Sequence, residues 1–309
     1  MANFRTSISI EKYNYSIDYD SEVFSVGSCF AENISKKFDY FKLKNKANPF
    51  GILFHPLAIE KVLEKATKEI PFTQDDIFFH NELWYCFDVH SEFSSTDKNQ
   101  LLEQLNHTLF ETKKNLEKST HIIITLGTSW VYRYNQTNEI VANCHKVPQK
   151  EFTKELLSVE QITKKLENIV SLFSYKKIIF TISPVRHIKD GFFENNVSKS
   201  NLFVSINNIR SNPTVNYFPS YEIVMDELRD YRFFSEDMLH PNQIAIDYIW
   251  ERFSENYLSE DALKISKEID SIQKALNHKP FNPNTEAHKK FVESTQKRIE
   301  KLGETWKNV

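Results

Sequence analysis

The chain reads as an α/β protein, a mainly parallel β-sheet with helices on both faces. Three observations carry that reading. Apolar runs of strand length alternate with amphipathic stretches of crossover length, as a parallel sheet requires. The run Ile122-Ile123-Ile124-Thr125 is β-branched throughout, the look of a parallel strand covered on both faces. Glycine occurs five times in 309 residues, and Gly27 and Gly127 each follow directly on an apolar run, where α/β folds place their ligand sites.

The elements follow in order. Residues 23–26 form a short buried strand and 31–38 the helix after it. Residues 56–68 are helical, with Pro56 suited to the first turn and Leu57, Ile59, Val62, Leu63 and Ala66 on one face. Residues 84–89 are extended. Leu101, Leu102, Leu105, Leu109 and Leu116 mark a helix over 101–116, and 121–126 is the clearest strand. Residues 131–134 and 140–142 flank a polar turn and form a hairpin. Ser158 opens a helix to about residue 173, with Gln161 at the capping-box spacing. Residues 178–182 are a buried strand stopped by Ser183-Pro184; 198–209 are helical, 215–217 a last strand, and 219–228 a helix. Pro241 begins a helix that ends near residue 257.

The spans divide the chain into an α/β domain, residues 1–258, and a polar, helix-prone appendage, residues 259–309. Ile299, Leu302 and Trp306 give the appendage a thin apolar stripe, fit to pack back on the core or to join two copies as a homodimer. The composition is 40% hydrophobic with 25 Phe, 13 Tyr and 4 Trp, which describes a packed core. The net charge of −3 comes without a basic stripe, so nucleic acid and anionic membranes are not expected partners. No stretch has the length of a membrane span, and the first residues lack the apolar core of a secretory signal. Cys29, Cys86 and Cys144 form no CxxC pair, and the remaining histidines (His55, His80, His90, His121) show no metal-ligand spacing. The expectation is a cytoplasmic protein with no cofactor and no metal.

A serine hydroxyl becomes a good nucleophile when an imidazole takes its proton and a carboxylate fixes that imidazole. Ser28 lies just after a strand and just before a helix, so its N–H points with the helix N-terminus toward a developing oxyanion. Asp237 and His240 stand three apart, so one turn of chain presents both to the same place. Each piece alone is commonplace. Together, at opposite ends of an α/β domain, they point to a catalytic triad.

The string Gly27-Ser28-Cys29-Phe30-Ala31 resembles the defining motif of the GSCFA family, distant relatives of the SGNH (GDSL-like) hydrolases. The resemblance runs through Asn48-Pro-Phe-Gly51, Leu126-Gly-Thr-Ser-Trp130, Val141-Ala-Asn-Cys-His145, Ser183-Pro-Val-Arg-His187 and Tyr231–Pro241, and covers roughly residues 20–255. It implies a flavodoxin-like three-layer α/β/α sandwich, with Ser28 as nucleophile and Asp237 and His240 completing the triad. It also implies an oxyanion hole of the Ser28 N–H, a second-block glycine matched by Gly51, and a third-block asparagine. The third block departs from that pattern: Gly127-Thr128-Ser129-Trp130 has no asparagine, so Thr128 or Ser129 supplies a hydroxyl, or Asn143 swings in.

Arg186, His187 and Lys189, with Asn143, His145 and Lys146, are candidates to recognise an anionic or sugar-like substrate, against plainer roles in ion pairs and loop anchoring. Trp130 and Tyr132 fit core packing or stacking on a sugar ring, and Cys29 fits an inward apolar role better than a thiol nucleophile. The expected function is a serine esterase, acting on a small-molecule or glycan acyl ester such as an acylated carbohydrate. The alternatives are an acyltransferase with the same triad, or a binding module that keeps the fold and has lost the chemistry.

Overall fold

The computed structural model describes residues 6–305. Strand β1 (Val23–Gly27) leads into helix α1 (Cys29–Tyr40) and the short strand β2 (Asn45–Ala47). Helix α2 (Pro56–Thr67) follows, then β3 (Ile77–His80), β4 (Leu83–Cys86), β5 (Ser94–Ser95) and α3 (Lys98–Lys118). Next come β6 (His121–Leu126), the hairpin β7 (Trp130–Tyr134) and β8 (Glu139–Val141), then β9 (Phe152–Leu156), α4 (Val159–Leu172) and β10 (Lys177–Ile182). Helix α5 (Phe192–Ile209), β11 (Val215–Phe218), the short α6 (Ser220–Glu222), α7 (Gln243–Tyr257), α8 (Glu260–Leu276) and α9 (Glu286–Thr305) complete the chain.

The central sheet has five strands in the order β11-β10-β6-β1-β2, all paired in parallel. Counting core strands alone, that is the doubly wound order 2-1-3-4-5, whose strand order reverses between β1 and β6. Side chains alternate across it. Phe24, Val26, Ile122, Ile124, Leu126, Ile178, Phe180 and Ile182 enter the core under α2 to α5. Val23, Ile123 and Ile179 enter the core under α1, α7 and α8. The period of two within runs that are apolar on both faces is what makes the three-layer α/β/α fold. Two small antiparallel sheets, β3-β4-β5 and β8-β7-β9, lie outside it.

Local chemistry sets the helix ends. Ser158 and Gln161 close the expected capping box of α4. His55 caps α2, its Nδ1 accepting from the Ala58 N–H, with Pro56 in the first turn. The extended stretch expected over 84–89 ends as a strand at Cys86, and three helical spans differ from expectation for a visible reason. Helix α5 starts at Phe192 rather than 198, because its buried face continues through the polar residues Asn195, Ser198 and Lys199, which hide the stripe. The helix expected over 219–228 is a short turn followed by a π-helical segment, Ile223–Glu227. Helix α7 starts at Gln243, capped by Asn242, because Pro241 pairs with Phe234 in a β-bridge. The strands β2, β3, β5 and β9 were not legible.

In the appendage, Ala262, Ile265 and Ile269 of α8 enter the core beneath α1 and α7. Arg298 ties α9 to α8 through Glu268 and Ser271, both at 2.8 Å, and Leu302 packs against the same core. Trp306 lies outside the described residues.

At Gly27 the backbone has φ +141°, and a Cβ there would stand 2.1 Å from the Thr125 carbonyl oxygen. We expect Gly27→Ala to destabilise the fold by about 3 kcal/mol or more, read as a large fall in Tm or loss of soluble protein.

Candidate functional site

The site is built at the C-terminal ends of the strands, where β1 and β6 part. Ser28 is the N-cap of α1, yet it makes no side-chain cap hydrogen bond. Ser158, Ser259, Asp97 and Asn242 all spend their side chains on their helices. Ser28 is fully buried, and its Oγ meets no hydrogen-bond partner. The hydroxyl is uncommitted.

The expected oxyanion donors are engaged elsewhere. The Ser28 N–H donates to the Thr125 carbonyl at 3.0 Å, and the Gly51 N–H donates to the Asn48 carbonyl at 2.8 Å. The Thr128 hydroxyl is 3.0 Å from Ser198 Oγ and accepts from the Trp130 N–H at 3.0 Å. Ser129 donates its hydroxyl to the Ser198 carbonyl. These groups hold the strand ends together rather than pointing at an oxyanion. Asn48 is different. It follows β2 directly, its N–H donates to the Ser25 carbonyl, and its Oδ1 accepts from the Gly27 N–H at 2.8 Å. Its Nδ2 is buried with no partner, on the side chain whose Oδ1 is bonded to Gly27, the residue before Ser28. Asn48 also holds φ +44°, which asparagine tolerates better than most residues.

Asp237 and His240 are brought together. Asp237 Oδ2 lies 2.5 Å from His240 Nδ1, and Asp237 Oδ1 accepts from the N–H groups of Leu239 and His240. The backbone N–H of His240, then that of Leu239 and the imidazole, hold the carboxyl down to about 2. The pair is half-exposed, and His240 makes no hydrogen bond with Ser28 Oγ. The structure therefore assembles the carboxylate–imidazole half and leaves the serine apart.

Lys199 escaped the sequence reading. It is fully buried on α5, and its Nζ donates to the carbonyls of Gly127 (2.7 Å) and Ser183 (2.8 Å), joining the ends of β6 and β10. Among the described residues it forms no ion pair, and burial, ahead of the opposing influence of Cys29, pulls its pKa down to about 7. His187 is beside it. Burial, then the charges of Lys199 and His240, lower the imidazole to about 3. The His187 Nε2 is buried and unpartnered, while its backbone N–H donates to Asn195 Oδ1 at 3.0 Å. The one sequence signal for Lys199 was its place on the buried face of a helix, where lysine is seldom found unpaired.

Of the proposed recognition residues, Arg186 lines a cleft of about 460 Å3 together with Asp237. His145 does not belong with it. It is buried, its Nε2 is 2.7 Å from the Cys86 carbonyl, and it packs against the rings of Phe78, Tyr85 and Phe87. Asn143 Oδ1 accepts from the His145 N–H, so both fix a loop with left-handed backbone at His145 and Lys146. Trp130 donates to the Glu194 carbonyl and sits under Lys154, and Tyr132 meets Phe152 edge-on, so both rings serve packing. The half-buried Cys29 thiol is pushed up by burial first, which disfavours the thiolate.

Residues 22–253 match the model of the GSCFA family, and residues 269–309 match that of the GSCFA domain protein, C-terminal domain. None of the curated proteins matches the chain. No described helix is long and apolar enough to cross a membrane.

Lys199 makes stability depend on pH in a specific direction. Its folded pKa near 7 lies below the ordinary 10.5, so between those values the unfolded chain binds the extra proton. Stability from this residue therefore rises as pH increases from about 7, by at most about 1.4 kcal/mol per unit. Denaturant melts of wild type and Lys199→Met at pH 7, 8 and 9 should show the wild type gaining relative to the variant. A constant difference would remove the buried ammonium from the account.

Proposed function

The chain belongs to the GSCFA family, and from the chemistry at its strand ends we propose a serine-dependent acyl-ester hydrolase working through an acyl-Ser28 intermediate. The observation that carries the reading is the buried, uncommitted Ser28 hydroxyl at the point where strand order reverses, on a cap that would ordinarily use it. The preformed Asp237–His240 pair supports it.

In this reading Ser28 Oγ attacks the ester carbonyl and gives its proton to His240 Nε2, while Asp237 accepts from Nδ1–H and stabilises the imidazolium. The carbonyl oxygen becomes an oxyanion received by Asn48 Nδ2. The C–O bond to the alcohol then breaks, and His240 returns the proton to that alcohol. Water, deprotonated by His240, hydrolyses the acyl-Ser28 bond and restores the serine. Proton transfer requires His240 Nε2 to come within about 3 Å of Ser28 Oγ, so the Asp237–His240 turn must close onto the serine during catalysis.

A fluorophosphonate probe followed by peptide mapping should label Ser28, with loss of label in Ser28→Ala. That variant should abolish aryl-ester hydrolysis while leaving Tm unchanged or higher, because it removes a buried hydroxyl that has no partner. Activity surviving in Ser28→Ala ends the proposal.

Asp237→Asn should lower kcat by roughly 10³- to 10⁴-fold, because the amide can hold the imidazole in the wrong tautomer. Turnover near wild type would exclude the triad.

Asn48→Asp keeps the acceptor for the Gly27 N–H and removes the free donor. It should lower kcat by about 10²- to 10³-fold with little change in KM, whereas Thr128→Val should change kcat far less. The reverse ranking would move the oxyanion donor to the loop after β6.

A further inference from the structure

The cleft of about 460 Å3 opens beside the Asp237–His240 turn and falls within the range of small-molecule sites. Its walls are apolar: Phe192 at the start of α5, Val224 in the π-helical segment, Leu228 after it, and Tyr231, Phe234 and Met238 on the turn that carries Asp237. Phe192, Tyr231 and Met238 are exposed, so large apolar groups gather at the rim of a cavity instead of being covered by the fold. The charged groups of the lining are mostly neutralised in pairs, Arg229 with Asp226, Asp230 with Arg232 and Asp237 with His240. Arg186 is the exception. Its Nε contacts Met225 Sδ at 3.1 Å, and among the described residues no carboxylate lies within ion-pair distance of its guanidinium. That residue also stands on the loop after β10, past Ser183-Pro184-Val185 and one position before His187, so its charge sits near the strand ends.

We propose that this cleft is the substrate site of the ester hydrolase and that it takes an amphiphilic ester: an apolar acyl chain fills the space between Phe192, Leu228 and Tyr231, and an anionic group next to the ester meets Arg186. The assignment rests on the serine-hydrolase reading for its chemistry, and on the apolar walls and the unpaired guanidinium for its selectivity. A bare sugar would leave the apolar walls wet. A neutral aliphatic ester would leave Arg186 desolvated against the ligand without a partner.

The test separates the site from the chemistry. Calorimetric titration of the full chain uses octanoate, octanamide and acetate, and a parallel assay measures 4-nitrophenyl esters from acetate to octanoate. Octanoate should bind at least tenfold more tightly than octanamide or acetate. Arg186→Gln should erase the preference for octanoate over octanamide, and Phe192→Asp, a change at an exposed helix start, should weaken octanoate at least tenfold. The kcat/KM of the esters should rise by up to roughly fourfold per methylene until the cleft is full. Octanoate binding of this pattern without any ester turnover upholds the cleft and defeats the hydrolase reading. Ser28-dependent turnover of the acetate ester with no chain-length preference and no octanoate binding defeats the cleft alone. Octanoate binding that neither variant weakens also defeats it, because the ligand then sits elsewhere.

Discussion

The contact on which the site depends is between two stretches of backbone. Gly27 lies opposite Thr125 in the parallel register of β1 and β6, and the next N–H, that of Ser28, donates to the Thr125 carbonyl. That hydrogen bond carries the pairing one residue beyond the strand and into the helix. It is possible because residue 27 has no Cβ and can adopt φ +141°. The same residue donates its N–H to Asn48 and accepts at its carbonyl from Leu53. Three segments are thus fixed around one glycine, and the position of Ser28 follows from them.

With the backbone groups satisfied, the side chains at the strand ends are left short of partners. Of the nine buried side-chain atoms without a hydrogen bond in the described residues, four belong here: Ser28 Oγ, Asn48 Nδ2, His187 Nε2 and Asn195 Nδ2. Each such group costs about 1–3 kcal/mol, so their sum rivals the net stability of a domain. Lys199 adds a buried amine held by two carbonyls and no carboxylate. Unsatisfied groups scattered through a core would be defects of packing. Gathered at the C-terminal ends of the strands, they leave hydrogen-bonding capacity there that the fold itself does not use.

The sequence made the frame legible and the edges illegible, for one reason. β1, β6 and β10 are covered on both faces and so are apolar runs that cannot be mistaken. β2 is the polar triplet Asn45–Ala47 at the sheet edge, and its pairing comes from its neighbour rather than from its own pattern. Helix α5 extends beyond its apolar stripe because its buried face carries Asn195, Ser198 and Lys199, which hydrogen-bond the loops after β6 and β10. The site divided in the same way. Ser28, Asp237 and His240 were visible as residue types at a meaningful spacing. Asn48 was overlooked as a donor, since nothing in Asn-Pro-Phe-Gly says which atoms the fold will leave unpaired. Hydrogen-bond commitment is a property of the folded neighbourhood: the Thr128 hydroxyl looked available until Ser198, seventy residues later, was found against it.

The two halves of the site stand on different mechanical footings. Ser28 is locked between β1, β6 and the first turn of α1. Asp237 and His240 ride on a turn that closes on itself: Ser235 N–H donates to the His240 carbonyl at 2.7 Å, Met238 N–H to Ser235, and Asn242 N–H to the Phe233 carbonyl. Asp237 Oδ1 adds the N–H groups of Leu239 and His240, and Met238 takes a left-handed φ of +60° to complete the turn. These bonds lie inside the turn, so the carboxylate–imidazole geometry is independent of where the turn sits relative to the strand ends. The turn is anchored at its C-terminal end, where the Asn242 side chain caps α7, and at its N-terminal end, where Phe233 and Phe234 pack against the core. Phe234 and Met238 on the same turn also line the cleft, so the wall of the cleft and the carboxylate–imidazole pair are parts of one hydrogen-bonded turn.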